Sequence, residues 1–360
     1  MSMFSKLNDE LNKQLDQKAE RHKLKWQHIV LLLILIAGTI YIAVENQGKG
    51  KQADPDYTTC EGNVFGTYYH ITYHYGADIQ AKIDSVLKDV DNSLSTFNRN
   101  STLAKINDNR STDTDPMVRT VFTLAKQISE NTDGAFDVTV APLVNAWGFG
   151  FKNKENVSDS LIQEIRKHVD FTRVSLDGNQ IVKADTAMML DFSAIAKGYG
   201  VDVVGNYLES LNIHDYMVEI GGEIRLGGHN PKGEKWNIGI VKPDPDPTGT
   251  NNNLEEVLNI TDIAMATSGN YRNFYEKGNK RYAHTIDPRT GYPIQHSLLS
   301  ATVLASDCAT ADAYATAFMV LGMEKAKKVL EQHPELKAYF IYTGKDGKYA
   351  TWHTDNLKIE

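Results

Sequence analysis

Strand-like and helix-like segments mix along this chain without a regular βαβ period, which predicts an α+β fold rather than a doubly wound α/β one. Three observations carry that reading. Tyr68 to Tyr75 is aromatic and β-branched almost throughout, as a half-buried strand is. Ile79 to Leu94 and Met117 to Asn131 repeat their apolar residues at helical spacing. Ile29 to Val44 is an uncharged apolar run that stands apart from both patterns.

The elements follow in chain order. Residues 1–25 are polar, mixed in charge and helix-like, within a segment 1–28 that precedes the apolar run. The run from Ile29 to Val44 is slightly shorter than the roughly 17–25 residues a membrane span needs, and Trp26, Gln27 and His28 extend it to about that length. A cleaved signal peptide is the rival reading, but no Ala-x-Ala pattern follows the run and the polar region before it is long. Arg21, Lys23 and Lys25 precede the run. Lys49 and Lys51 follow it, with Asp54 and Asp56 beyond. This bias places the N-terminus in the cytoplasm and the body of the protein outside it. Residues 45–57 read as a linker, and residues 58–360 as one globular domain. Within that domain His70 and His74 share a strand face, either as solvated histidines or as a metal pair. The first helical stretch covers 79–94. The second covers 117–131 and ends before Asp133-Gly134. Ala187 to Phe192 reads as a buried strand and Ala194 to Leu211 as a helix capped by Ser193. Met217 to Ile220 and Trp236 to Val241 read as strands beside the pairs Gly221-Gly222 and Gly227-Gly228, which read as turns. Pro243 to Asn253 is a polar loop. Residues 299–305 and 337–342 add strands around an Ala-rich helix at 308–321.

Composition excludes several functions. The chain has 360 residues and a net charge of −8, with no basic stripe, so it is not a nucleic-acid binder. Its two cysteines, Cys60 and Cys308, form neither a disulfide framework nor a zinc site. The Gly-x-x-x-x-Gly-Lys-Ser/Thr spacing of a phosphate loop is absent, and no Gly-x-Gly-x-x-Gly follows a strand.

Five segments carry residue types suited to chemistry. His284-Thr285-Ile286-Asp287-Pro288-Arg289 sets an imidazole, a carboxylate and a guanidinium at one bend. Arg289 is either a charge-stabilising group or a solvated turn residue. Asp312 and Thr316 lie four apart on an apolar helix and so share a face. A carboxylate and a hydroxyl there need a reason, and hard oxygen ligands for Mg²⁺ are one. Asp191-Phe192-Ser193-Ala194-Ile195-Ala196-Lys197-Gly198 opens a helix, where backbone N–H groups can meet an anion. Asp133-Gly134-Ala135-Phe136-Asp137 offers small residues beside a ring. Ser95-Thr96-Phe97-Asn98 offers an aromatic face just after a helix, although an isolated Phe also suits a core.

Taken in order with Phe65-Gly66-Thr67-Tyr68, Thr267-Ser268-Gly269-Asn270-Tyr271 and Ala311-Asp312-Ala313-Tyr314-Ala315-Thr316, these motifs make the chain resemble the ApbE family of flavin transferases over roughly residues 60–350. The resemblance implies a mixed, mostly antiparallel sheet core with flanking helices. It also implies a reaction: with Mg²⁺ bound, the FMN half of FAD moves to a Thr or Ser hydroxyl of another protein, and AMP leaves. Family acceptors are extracytoplasmic subunits of membrane redox complexes, such as sodium-pumping NADH:quinone reductase and Rnf-type complexes. With the apolar run, this places the protein in a bacterial inner membrane, crossing once, with its catalytic domain on the periplasmic side. By resemblance Phe97 stacks on the isoalloxazine ring, while Phe65, Ala135, Phe136, Asp137, Asp191, Lys197 and Ile286 line the FAD site. The Ala194 carbonyl, Asp312 and Thr316 hold Mg²⁺, and His284 is the general base.

Two positions depart from the family pattern. Phe65 stands where many relatives carry Met, and Ala315 where many carry a second acid. Lys197 lies at a position that varies. Family acceptor sites resemble Ser/Thr-Gly-Ala-Ser/Thr, whereas the Gly-Ala pairs here, Gly76-Ala77 and Gly134-Ala135, follow Tyr75 and Asp133, so the chain is not its own substrate. Competing readings are a Mg²⁺-dependent FAD pyrophosphatase, which passes FMN to water, and a membrane-anchored flavin binder without turnover.

Overall fold

A computed structural model describes residues 56–150, 157–243, 253–270, 274–277, 280–283 and 285–359. The expected cytoplasmic segment 1–28, the apolar run 29–44, nearly all of the linker, most of the 243–253 loop and His284 lie outside the described residues. Among the described residues no helix is long and apolar enough to cross a membrane. Pro55–Glu360 forms one compact unit.

Strands β1 (Tyr57–Val64) and β2 (Thr67–His74) open the domain as a hairpin, with Val64 paired to Thr67. Phe65 and Gly66 form its two-residue turn at φ +53° and +75°. A left-handed pair matches the right-handed twist of the flanking strands. Helix α1 (Gln80–Leu94) buries Ile83, Leu87, Val90 and Leu94 along one stripe. After the short α2 (Thr102–Asn107), helix α3 (Pro116–Asn131) starts where the Asp115 carboxylate accepts from the Val118 N–H and Pro116 needs no donor partner. Helices α4 (Ala141–Trp147) and α5 (Asp159–Arg166) and the hairpin β3 (Val174–Asp177) and β4 (Gln180–Lys183) follow. Helix α6 (Ala196–Ser210) leads into β5 (Tyr216–Ile220) and β6 (Glu223–Gly227). Next come β7 (Trp236–Val241), β8 (Leu254–Ile260), β9 (Ile263–Gly269), the small hairpin strands β10 (Phe274–Lys277) and β11 (Lys280–Ala283), and the short β12 (Ile286–Asp287) and β13 (Tyr292–Pro293). The chain closes with β14 (Leu298–Ala305), α7 (Cys308–Leu321), α8 (Met323–Gln332), β15 (Lys337–Thr343) and β16 (Tyr349–His353).

Eight strands form the main sheet in the order β1-β2-β5-β6-β9-β14-β15-β16, and every neighbouring pair is antiparallel. The sheet is therefore not mixed as expected. Parallel pairing among the described residues is confined to one isolated bridge, Val140 with Met189. β14 is buried on both faces: Val303 joins the helix-side core with Phe318 and Phe340, and Leu304 joins the opposite core with Trp236 and Ile238.

Two local expectations are corrected. Within Ala187 to Phe192, Met188, Met189, Leu190 and Phe192 are buried, but the segment is not a strand. Asn107 stands in for a neighbouring strand: its side-chain amide donates to the Leu190 carbonyl at 2.7 Å and accepts from the Leu190 N–H at 2.7 Å. A backbone satisfied by a side chain needs no ladder. Helix α6 begins at Ala196, two residues later than expected, and Ser193 does not cap it. The Ser193 hydroxyl donates instead to Asp191.

The crossing of α6 and α7 fixes the centre of the domain. A Cβ on Gly198 would come within 2.3 Å of the Cys308 carbonyl oxygen, so only glycine allows this approach. From α6, Asp202 reaches the start of α7 and accepts from the Cys308 and Ala309 N–H groups, both at 2.8 Å. These groups are among the orphan donors that every helix start leaves. Both cysteines are buried free thiols.

Candidate functional site

A cavity of about 870 Å³ opens where α6, α7, the β5–β6 turn and the loops after α1 and α3 converge. Its size lies in the upper part of the usual range for a small-molecule site.

Phe97 stands at this cavity and is 70% exposed. The turn that presents it is braced: Ser95 Oγ accepts from the N–H groups of Phe97 and Asn98, and Ser101 donates to the Ser95 carbonyl. An exposed aromatic ring on a braced turn beside a cavity suits stacking on a planar ligand.

Ala135, Phe136 and Asp137 line the wall. Asp133 and Gly134 turn the chain there with φ +51° and +67°. The Asp137 carboxylate is already engaged. One oxygen accepts from the Thr139 N–H and hydroxyl, and the other from the Phe171 N–H. Burial pushes this carboxyl up to about 6. Both of its oxygens thus accept from protein donors and brace the turn at the cavity wall. Asp191 ties the next segment to this one, since its N–H donates to the Val138 carbonyl at 2.7 Å. Asp191 and Ala194 both line the cavity.

The polar centre is a group of three side chains. Asp312, buried on α7, accepts from the Gly198 N–H of α6 at 3.1 Å. Lys197, one residue earlier, donates to Glu223 Oε1. Glu223 is 4% exposed, and its second oxygen has no hydrogen-bond partner. Burial pushes the Glu223 carboxyl up to about 7 against the opposing pull of Lys197. Burial would also lower the Lys197 ammonium, but Asp312 and Glu223 outweigh it and raise it, so the lysine is held charged. Thr316 lies one turn beyond Asp312 and also lines the cavity.

The remaining sequence candidates divide. Ile286 lines the cavity beside Thr285. Phe65 does not: a Cβ on Gly200 would come within 2.7 Å of its ring, which packs between two cores. The left-handed turn at Phe65 aims the ring at α6 rather than at the ligand space. Arg289 is partly exposed and does not line the cavity. Its guanidinium makes two hydrogen bonds of 2.9 Å to Asp287. Ala315 is fully buried in the apolar core, so the extra carboxylate near Asp312 comes from Glu223 instead. The sequence reading missed Glu223. The available signal was a carboxylate placed directly after a Gly-Gly turn, where the strand register sends the side chain inward. His70 pairs with Glu61 at 2.7 Å and His74 lies 3.6 Å from Asp215, which favours the reading as ordinary strand histidines.

The sequence model of the ApbE family matches residues 65–340. The chain is similar to a FAD:protein FMN transferase of Haemophilus influenzae, at 39% identity over 330 residues, covering 87% of this chain and 94% of the relative. A FAD:protein FMN transferase of Vibrio cholerae is 37% identical, with 89% and 96% covered. Among solved structures, the flavin transferase ApbE from Vibrio cholerae matches with a TM-score of 0.76 at 36% identity, covering 85% of this chain and 99% of that one. The flavinyl transferase ApbE of Pseudomonas stutzeri matches with a TM-score of 0.73 at 32% identity, covering 83% and 94%.

Proposed function

Since the chain belongs to the ApbE family, we propose that this flavin transferase moves the FMN moiety of FAD to a Thr or Ser hydroxyl of an acceptor protein, with Mg²⁺ bound and AMP as the leaving product. The observation that supports it best is one cavity that gathers an exposed ring, Phe97, a held ammonium, Lys197, and a buried helix face bearing Asp312 and Thr316. Among the described residues no three His, Cys, Asp or Glu side chains form a metal cluster. The oxygen set still suits Mg²⁺, which takes one or two carboxylates and completes its shell with water and substrate phosphates. Asp312, the Thr316 hydroxyl and the Ala194 carbonyl would hold it, and one buried oxygen of Glu223 nearby has no hydrogen-bond partner in the protein. Bound there, Mg²⁺ would neutralise the pyrophosphate and stabilise the leaving phosphate.

Phe97 would carry the ring, Lys197 would meet a phosphate oxygen, and His284 would take the proton of the acceptor hydroxyl. The test is incubation with FAD, Mg²⁺ and candidate acceptor domains, scored by flavin fluorescence that survives a denaturing gel. Release of free FMN and AMP with no labelled acceptor would replace transfer by hydrolysis.

Phe97→Ala is expected to weaken FAD binding by about 0.5–1.5 kcal/mol beyond its lost contact area, with a smaller effect on turnover at saturation. A dissociation constant equal to that of the unaltered protein would remove the ring from the site.

We further propose that Ile29 to Val44 tethers the enzyme to the bacterial inner membrane with the domain on the periplasmic side. Its acceptors would be subunits of redox complexes of the sodium-pumping NADH:quinone reductase or Rnf type. Sharing one surface raises the effective concentration of enzyme and acceptor. A variant beginning at Pro55 should keep its activity on a soluble acceptor domain and flavinylate the intact membrane complex less efficiently in cells. Equal labelling in cells by both forms would argue against the tether.

A further inference from the structure

Glu223 enters the cavity from the strand beyond α6 and α7, carried there by the β5–β6 hairpin. Gly221 and Gly222 make its two-residue turn at φ +61° and +103°, and Ile220 pairs with Glu223 across it. Only glycine adopts the second of these angles readily. The turn sets the register, and the register turns Glu223 inward. There one oxygen takes the Lys197 ammonium, while the other is buried without a donor. The two partners differ in access: the Glu223 side chain is 5% exposed and that of Lys197 is 32% exposed. The carboxylate is thus the deep member of the pair and the ammonium the one that faces the ligand space. An ammonium has three donors, so one bond to Glu223 leaves others for a ligand.

We propose that Glu223 is a positioning residue that holds the Lys197 ammonium at the cavity wall beside Asp312, oriented toward a phosphate oxygen of the bound substrate. The inference rests on reading the cavity as the FAD site. A flexible four-carbon stem would otherwise leave the charge free to collapse onto Asp312, which also attracts it. By holding the lysine, Glu223 leaves the Asp312 carboxylate to its other partners.

The test compares ligands with and without phosphate. FAD, ADP and riboflavin binding is measured by calorimetry on the full-length protein and on Glu223→Gln, Lys197→Met and the double variant. Glu223→Gln should weaken FAD and ADP about tenfold, because its amide oxygen can still accept from the ammonium but no longer holds it with an opposite charge, and leave riboflavin within about twofold. In the Lys197→Met background Glu223→Gln should cost nothing more, because the residue acts only through the lysine. Equal losses for riboflavin and FAD would make Glu223 a structural brace and overturn the proposal. So would a further loss in the double variant beyond that of Lys197→Met. If Glu223→Gln alone does not fold, the double variant still decides, since it replaces the buried pair by two neutral side chains of similar shape. Failure of the FAD reading itself would look different: the unaltered protein would show no saturable FAD binding.

Discussion

Replacing His284 with Ala is expected to slow flavin transfer by about 10²–10⁴ while FAD binding stays largely intact, the usual scale of help from a positioned acid or base. An alcohol is a weak nucleophile until its proton is taken, and an ordinary imidazole can take one near neutral pH. His284 lies outside the described residues, but the next two in sequence, Thr285 and Ile286, line the cavity. Turnover should fall at saturating FAD and acceptor. A His284→Ala protein that labels its acceptor at the unaltered rate would take the residue out of the mechanism. Loss of FAD binding in parallel with activity would instead make it a binding residue.

Asp312→Ala should remove metal-dependent turnover, by about 10³-fold or more, which corresponds to several kcal/mol of lost charge stabilisation at the phosphates. Asp312 is the one carboxylate among the three proposed Mg²⁺ ligands. Excess chelator added to the unaltered enzyme should reproduce the defect. Asp312 also accepts from the Gly198 N–H, so truncation removes a link between α6 and α7 as well as a ligand. Asp312→Asn separates the two effects: its amide oxygen can keep the Gly198 hydrogen bond, but the negative charge is gone. If the metal role is right, Asn is nearly as inactive as Ala while its thermal midpoint stays close to that of the unaltered protein. Full activity in excess chelator, or an active Asp312→Asn variant, would leave Asp312 as a structural link only.

Much of the fold was legible before any coordinates. The helix over 308–321 matches the Ala-rich run residue for residue, and the helix ending at Asn131 stops at its left-handed Asp133-Gly134 turn. These are local effects, set by periodicity and by backbone angles that few residues tolerate. The expected strand at 187–192 failed for a non-local reason. An apolar run shows that a segment is buried but not what satisfies its backbone, and here Asn107, 83 positions away, does so.

The candidate site divides along the same line. The sequence by itself determined which residue types fall together: Asp312 and Thr316 share a helix face because of helical spacing alone, and Phe97 follows a helix end whatever surrounds it. It also placed the Gly221-Gly222 turn. Only the tertiary structure decided that Phe65 packs under α6 instead of facing the ligand, that Arg289 is spent on Asp287, and that Glu223 meets Lys197. The physical reason is one of range. Propensity, capping and periodicity act within a few residues. The contacts of Glu223 with Lys197 and of Asp312 with Gly198 join residues 26 and 114 positions apart, and they exist only because the antiparallel sheet and the close glycine crossing of α6 and α7 bring those backbones together.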